Sequence, residues 1–292
     1  MIPLQGAVFR PPSEADSLIL QVTLGCSYNA CTFCGMYQEK PFRVRQLDDL
    51  RAEIQLAAQQ MPWVQKVFLA DGDALVAPAK LLASVCDLLQ EAFSQLRRIS
   101  IYASPQALQI RTVEEMRDLR ERGLSLYYLG VESGDDETLT LLNKGVSADE
   151  MIRVGQRPAQ AGVKLSAMIL LNSGGPELSQ QHAIGSARVI NAIQPRFVST
   201  LVLTPVENTP LWADAQCGKW IEMHPVALAA ELRTFLAALD LKATIFRSNH
   251  ASNWLALAGT LPKNQAELVA TLDAVLEHPE HARFRPRWAR GL

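Results

Sequence analysis

Apolar residues along this chain follow two alternating rhythms. Compact runs rich in β-branched and aromatic residues read as strands: Leu18–Leu24, Lys66–Ala70, Arg98–Tyr102, Ser125–Leu129, Val163–Leu170 and Phe197–Leu203. Between them apolar positions recur at helical spacing, from Leu47 onward, over about Pro78–Phe93 and Val113–Arg122, over Asp135–Ala161 with a break near Gly145, and over Glu177–Ile193. Strands alternating with helices predict a parallel sheet with right-handed crossovers, and six such units fit an open, partial (β/α)6 TIM-like barrel of the α/β class. Beyond it, a helix over Pro225–Leu239, a strand over Ala243–Phe246 and a helix over Gln265–Leu276 predict a small C-terminal α/β extension. The expected division is an arm over residues 1–17, extended by Pro3, Pro11 and Pro12, a barrel over 18–211, and an extension over 212–292 that closes the barrel.

Three of the five cysteines, Cys26, Cys31 and Cys34, fall in one loop just after the first strand and Gly25. Thiolates are soft ligands for iron-sulfur clusters, zinc or copper. A mononuclear zinc site wants four ligands, and the first histidine in the chain is His182. A plant-type [2Fe-2S] centre shares the four-then-two spacing but needs a distant fourth cysteine, for which only Cys86 and Cys217 are candidates. Cys86 shares a helical face with Leu82, Val85 and Leu89 and reads as a packed core thiol; Cys217 follows a Pro-rich loop and reads as a surface thiol. Three thiolates alone would leave one iron of a [4Fe-4S] cluster open to a small molecule. The alternatives are an electron-transfer protein with a complete ligand set, or a barrel that binds without catalysis.

A strand, a three-cysteine loop with Phe33 before the last cysteine, then Tyr37 and a helix resemble the radical S-adenosylmethionine superfamily, although that family's usual loop has three residues between its first two cysteines and this one has four. Further segments resemble the Elp3-like and oxygen-independent coproporphyrinogen dehydrogenase-like subset. Asp71-Gly72-Asp73 is loosely similar to the turn that receives the methionine amino group, and Gly130-Val131-Glu132-Ser133-Gly134 with Lys144 is similar to a segment that contacts the methionine end and ribose. The resemblance implies that Cys26, Cys31 and Cys34 hold a [4Fe-4S] cluster whose open iron takes S-adenosylmethionine. It further implies that Phe33, Gly72, Asp73, Glu132, Ser133 and Lys144 bind that cofactor, and that a 5′-deoxyadenosyl radical takes hydrogen from a substrate. A reductant such as flavodoxin or ferredoxin is then a partner. From the residues themselves, Glu132 is an acceptor at a strand end, Asp73 would equally suit a helix start, and Lys144 a solvated helix end.

The other features narrow the picture. A net charge of -2 and a pI near 6.2 give no global case for nucleic acid or membrane. No basic-then-apolar leader begins the sequence, and clustered cysteines suit a reducing compartment, so a cytoplasmic, oxygen-sensitive protein is expected. The basic connector Lys40–Arg45 reads either as a holder of an anionic substrate group or as a solvated rim. The stretch Arg247–Trp254 is dense in hydrogen-bonding groups, and Arg247 and His250 are the candidates to touch substrate at the barrel mouth. The tail from His281 to Arg290 mixes arginines with aromatics and reads either as an RNA contact by charge and stacking or, more in keeping with its length, as a short solvated terminus.

Overall fold

The apolar runs do become strands and the periodic segments helices. The computed structural model describes residues 2–291. Its first elements are β1 (Leu18–Gln21), β2 (Thr23–Leu24), β3 (Arg43–Val44), α1 (Leu47–Gln60), β4 (Lys66–Ala70), α2 (Ala79–Ala92), β5 (Arg98–Ala103), α3 (Pro105–Ile110) and α4 (Val113–Glu121). Then come β6 (Leu124–Glu132), α5 (Asp136–Leu141), α6 (Ala148–Gly155), α7 (Arg157–Gln160), β7 (Lys164–Leu171) and α8 (Gly175–Ile193). The last are β8 (Phe197–Val202), α9 (Pro210–Gln216), α10 (Pro225–Ala237), β9 (Thr244–Ser248), β10 (Leu257–Leu261) and α11 (Gln265–Glu277). The class is the expected one, α/β with mostly parallel strands and flanking helices, open rather than closed.

The chain forms two compact units: one made of residues through Asn29, Met36–Leu129 and Arg157–Leu165, the other of Ala30–Gly35, Gly130–Gln156 and residues from Ser166 onward. In the first, the strand order is β1-β4-β5-β6, all parallel. On one face Phe68, Tyr102 and Tyr128 meet edge to face, with ring centroids 4.9 to 6.2 Å apart. The other face is covered by helices such as α2, whose Leu82, Val85, Cys86 and Leu89 are fully buried as their spacing predicts. Burying each of those leucines and the valine contributes about 1.5–3 kcal/mol.

The run Leu18–Leu24 is two strands rather than one. The Val22 amide still donates to Ala70 O at the end of β4, but Thr23 and Leu24 turn away to pair antiparallel with β3. That pairing draws the end of the basic connector inward and corrects both readings there, while Arg43 stays exposed. Arg45 is buried and clasps Glu53 of α1 through two 2.8 Å hydrogen bonds, so it neither lines a rim nor waits for an anion. The arm is likewise anchored: buried Glu14 accepts from Tyr128 Oη at 2.5 Å and from Arg98 Nη2 at 2.7 Å.

In the second unit β7, β8 and β9 are parallel, and β10 returns antiparallel on β9. Sequence reading did not find β10, whose alternating small residues carry little apolar signal; it is held by its hairpin partner, and Gly259 lets α11 approach. The segment Asp135–Ala161 breaks at Gly145, at φ +74°, and restarts at Ser147, which forms a reciprocal cap with Glu150 at the head of α6. Helices α8, α10 and α11 pack in succession against one another.

Candidate functional site

In the first unit, β2 delivers Gly25 at φ +70°, where a Cβ would come within 2.3 Å of Lys40 O; only glycine fits. Gly25 is stitched to the end of β4 twice: its amide donates to Asp71 Oδ2 at 3.2 Å, and its carbonyl accepts from Gly72 N at 3.1 Å. Buried Asp71 also accepts from Gln21 Nε2 at 3.1 Å and from Lys40 Nζ at 2.9 Å, so Lys40 too is committed to an internal ion pair. Asp73 is buried and does not cap the turn that follows it. Its carboxylate takes Ser27 Oγ at 2.5 Å, Ser104 Oγ at 2.8 Å and Ser104 N at 3.1 Å. Between these aspartates Gly72 leaves room for the cysteine loop, since a Cβ there would meet the Tyr37 ring at 2.5 Å and Cys26 Cβ at 3.0 Å. Asn29 Nδ2 donates to Tyr37 O at 3.1 Å, and the Phe9 ring packs edge-on to Tyr37. The sequence-predicted Cys26, Gly72 and Asp73 thus meet around one turn.

The second unit holds Ala30–Gly35 by its backbone. Thr32 N donates to Leu142 O at 3.0 Å, Thr32 Oγ1 to Leu141 O at 2.8 Å, Asn143 Nδ2 to Ala30 O at 2.8 Å, and Leu211 N to Thr32 O at 3.0 Å. Phe33 packs on the cluster of Leu142, Leu170, Leu203 and Leu211. At the end of β6, Glu132 adopts φ +65° and pairs with Lys144, Nζ to Oε1 at 2.9 Å, with each side chain only a tenth exposed. Gly130 makes the pair possible: a Cβ there would lie 1.9 Å from Glu132 Oε1 and 3.1 Å from Lys144 Nζ. Burial disfavours the Lys144 ammonium, but Glu132, Cys31 and Cys34 outweigh it and hold the lysine above its ordinary pKa. Lys144 is therefore an internal cation beside two of the loop thiols rather than a solvated helix end.

Ser133, also fully buried, is fixed by a partner that sequence reasoning missed. Its Oγ lies 2.8 Å from His182 Nδ1 on α8 and accepts from Asp135 N at 3.0 Å. His182 Nε2 is buried with no hydrogen-bond partner among the described residues, 3.9 Å from Glu231 Oε1 on α10. Glu231 accepts from Asn172 N at 2.7 Å and Ser179 Oγ at 2.5 Å. Burial pushes His182 down to about 4 and Glu231 up to about 7, so at neutral pH the histidine is uncharged. Gly134 crosses α8 at Gly185 with no side chain between them. A Cβ on Gly134 would stand 2.2 Å from Gly185 O, and one on Gly185 2.6 Å from Gly134 O. The one sequence signal was a lone histidine on the apolar side of a helix.

His250 is half-buried in a turn, its Nδ1 2.9 Å from Ser252 Oγ and accepting from Ser252 N at 3.1 Å, while Arg285 Nη1 donates to its carbonyl at 2.8 Å. Arg247 is exposed on β9. Cys86 is sealed in its helix face, where burial pushes the thiol up to about 12, which disfavours the thiolate a metal would need. Cys217 is exposed at the end of α9 and donates to Asp214 O.

Cys26, Cys31 and Cys34 are half-buried on one continuous loop, and none is in a disulfide. Three soft donors, with a lysine ammonium beside two of them, suit an anionic iron-sulfur cluster. The family model described as "Radical SAM superfamily" matches residues 20–177. An uncharacterized protein of Methanocaldococcus jannaschii is 23% identical over 203 residues, 66% of this chain, and the chain spans 62% of the length of that relative. Among solved structures the chain is similar to methylornithine synthase, with a TM-score of 0.56 at 16% identity over 92% of this chain and 74% of that one. A radical S-adenosylmethionine methyltransferase from Kitasatospora setae, with cobalamin and a [4Fe-4S] cluster bound, gives 0.54 at 17% over 91% and 54%. Coproporphyrinogen III oxidase from Escherichia coli gives 0.50 at 13% over 90% and 52%. At these identities the likeness is one of fold.

Proposed function

The chain belongs to the radical SAM superfamily, whose cofactors are a [4Fe-4S] cluster and S-adenosylmethionine, and from that premise we propose that it is an enzyme in which Cys26, Cys31 and Cys34 hold the cluster. The division into a barrel over residues 18–211 and an extension over 212–292 is part of this reading. When bound, the two cofactors supply one-electron cleavage of the sulfonium to methionine and a 5′-deoxyadenosyl radical, which takes a hydrogen atom from the substrate.

The protein's part is position and exclusion of solvent. Glu132, at a strand end with positive φ, offers its free carboxylate oxygen to the methionine ammonium or a ribose hydroxyl while Lys144 holds the other oxygen. Lys144 also balances charge at Cys31 and Cys34. Ser133 is oriented by His182, and Phe33, next to Cys34, would offer its apolar ring to the adenine. Gly72 lets Cys26 and the Tyr37 ring close on the turn, and Asp73 braces it through Ser27 and Ser104. The observation that carries the reading is the Glu132–Lys144 pair, which joins the segment expected to bind the cofactor with two of the cluster cysteines. A reductant of the flavodoxin or ferredoxin kind is the expected electron donor.

The test is anaerobic. The protein is reconstituted with iron and sulfide, reduced with dithionite and given S-adenosylmethionine, and 5′-deoxyadenosine is followed beside the triple Cys26, Cys31, Cys34→Ala variant. Nucleoside from the parent alone supports the reading, whereas an intact cluster spectrum that does not respond to S-adenosylmethionine would refute it.

A further inference from the structure

One face of the sheet of the second unit lies against α10; on the other, α9 meets the sheet through Leu211 at Leu170. In parallel strands, residues in register point the same way and alternate residues point oppositely. Leu171, Val202 and Ser248 lie with Leu228 and Leu232 of α10, which marks the covered side. On the opposite side the register aligns Met168 of β7, Ser199 of β8 and Arg247 of β9 in one row, with Leu170 and Leu201 in the next row toward the strand C-termini. Leu170 and Leu201 belong to the cluster on which Phe33 packs, so this is the side that meets the cysteine loop. Met168, Ser199 and Leu201 are only partly buried, and Arg247 is exposed; this face is therefore open to a ligand.

Arg247 shares that face with one other charge, Lys164 at the N-terminal start of β7. The other residues on that face over β7 to β10 are Ser166, Met168, Leu170, Phe197, Ser199, Leu201, Ile245, Ala258 and Thr260, none of them acidic. Its one hydrogen bond runs from Nη1 to Phe246 O at 2.8 Å, and no ion pair engages it among the described residues. With strands about 4.8 Å apart and residues about 3.3 Å apart along each, Arg247 stands within roughly 15 Å of the Phe33 contact. A guanidinium with neutral and apolar surroundings is built for a planar oxyanion, which it grips through two parallel N–H donors.

We propose that Arg247 is the anion-binding residue of the substrate site, and that the substrate carries a carboxylate or phosphate gripped by Arg247 while its apolar part lies along Met168 and Leu201 toward Phe33. This rests on the radical SAM reading for the word substrate, but the anion site itself is testable without turnover. Calorimetric titration of the cluster-loaded protein, under anaerobic conditions and without S-adenosylmethionine, would use succinate and pyrophosphate as separate probes, the tighter one naming the oxyanion. Loss of charge-assisted hydrogen bonds in Arg247→Gln should weaken binding roughly tenfold or more, and Arg247→Lys, which keeps the charge but not the fork, should fall between. Binding that is equal in the parent and Arg247→Gln, or absent from the parent for both probes, overturns the proposal. Formation of 5′-deoxyadenosine is scored separately, so an anion site that holds in a protein that makes none would condemn the reaction class and not the site.

Discussion

Replacing Lys144 by Met should be among the most damaging single changes outside the apolar core. The ammonium lies 2.9 Å from Glu132 Oε1, and about a tenth of each side chain is exposed. At an effective dielectric near 20, two unit charges that close attract by about 6 kcal/mol, much of it offset by their desolvation. Methionine fills the space but leaves the Glu132 carboxylate buried and unpaired, a fault that costs about 3–5 kcal/mol; the residual exposure points to the lower end, about 3 kcal/mol. For a chain of 292 residues that is a fall in Tm of roughly 5 °C. Urea denaturation of the cluster-free protein, followed by far-UV circular dichroism, isolates the effect from any loss of cofactor. The double variant Lys144→Met, Glu132→Leu removes both charges and should recover more than half of the loss, with a coupling of about 2 kcal/mol in the cycle. A single variant within about 1 kcal/mol of the parent, or additive singles, would mean that the pair behaves as a surface ion pair and the reasoning about Gly130 and Glu132 is wrong.

Glu231 and His182 make opposite contributions to the pH dependence of stability. An unfolded glutamate ionises near 4.5, but Glu231 keeps its proton in the folded chain to about 7, so the parent loses that contribution as pH rises through this window. His182 does the reverse, its contribution being present above 6.5 and lost as pH falls toward about 4. Glu231→Gln abolishes only the first, so its stability relative to the parent should rise by about 2–3 kcal/mol between pH 4.5 and 7.5, as urea midpoints across that range would show; a flat difference would refute the protonated glutamate. Iron analysis of anaerobically reconstituted protein should find about four irons per chain in Cys86→Ala and Cys217→Ala, and a loss in each of Cys26→Ala, Cys31→Ala and Cys34→Ala. A cluster lost with Cys86 or Cys217 would instead point to a complete four-cysteine set.

Much of this molecule was legible because its signals are local. The apolar runs of β4 to β8 and the helix face of Cys86 rest on periodicities that burial enforces, and the cysteine loop lies within nine consecutive residues. What was not legible depends on partners far apart in sequence. Asp73 is 46 residues from Ser27 and 31 from Ser104, and nothing near it distinguishes a bridging carboxylate from a helix cap. Lys40 and Arg45 read as connector charge because Asp71 and Glu53 reach them only once β3 folds against β2. β10 needs β9 to exist, and the environment of His182 is assembled by α10, some fifty residues downstream of it.

The crossing of Gly134 and Gly185 limits how this protein can change over evolutionary time. Packed positions ordinarily drift in pairs, one side chain shrinking as its neighbour grows. Here each main chain rests on the other, with hypothetical Cβ distances of 2.2 and 2.6 Å to the facing carbonyls, and glycine has no volume to give up. No exchange between the two sites can compensate for a side chain at either. A substitution is accommodated only by moving α8 away from the end of β6, which would carry His182 from Ser133. The two positions are therefore bound to stay glycine together wherever that approach is kept, and a lineage that loses one must rebuild how its serine is held.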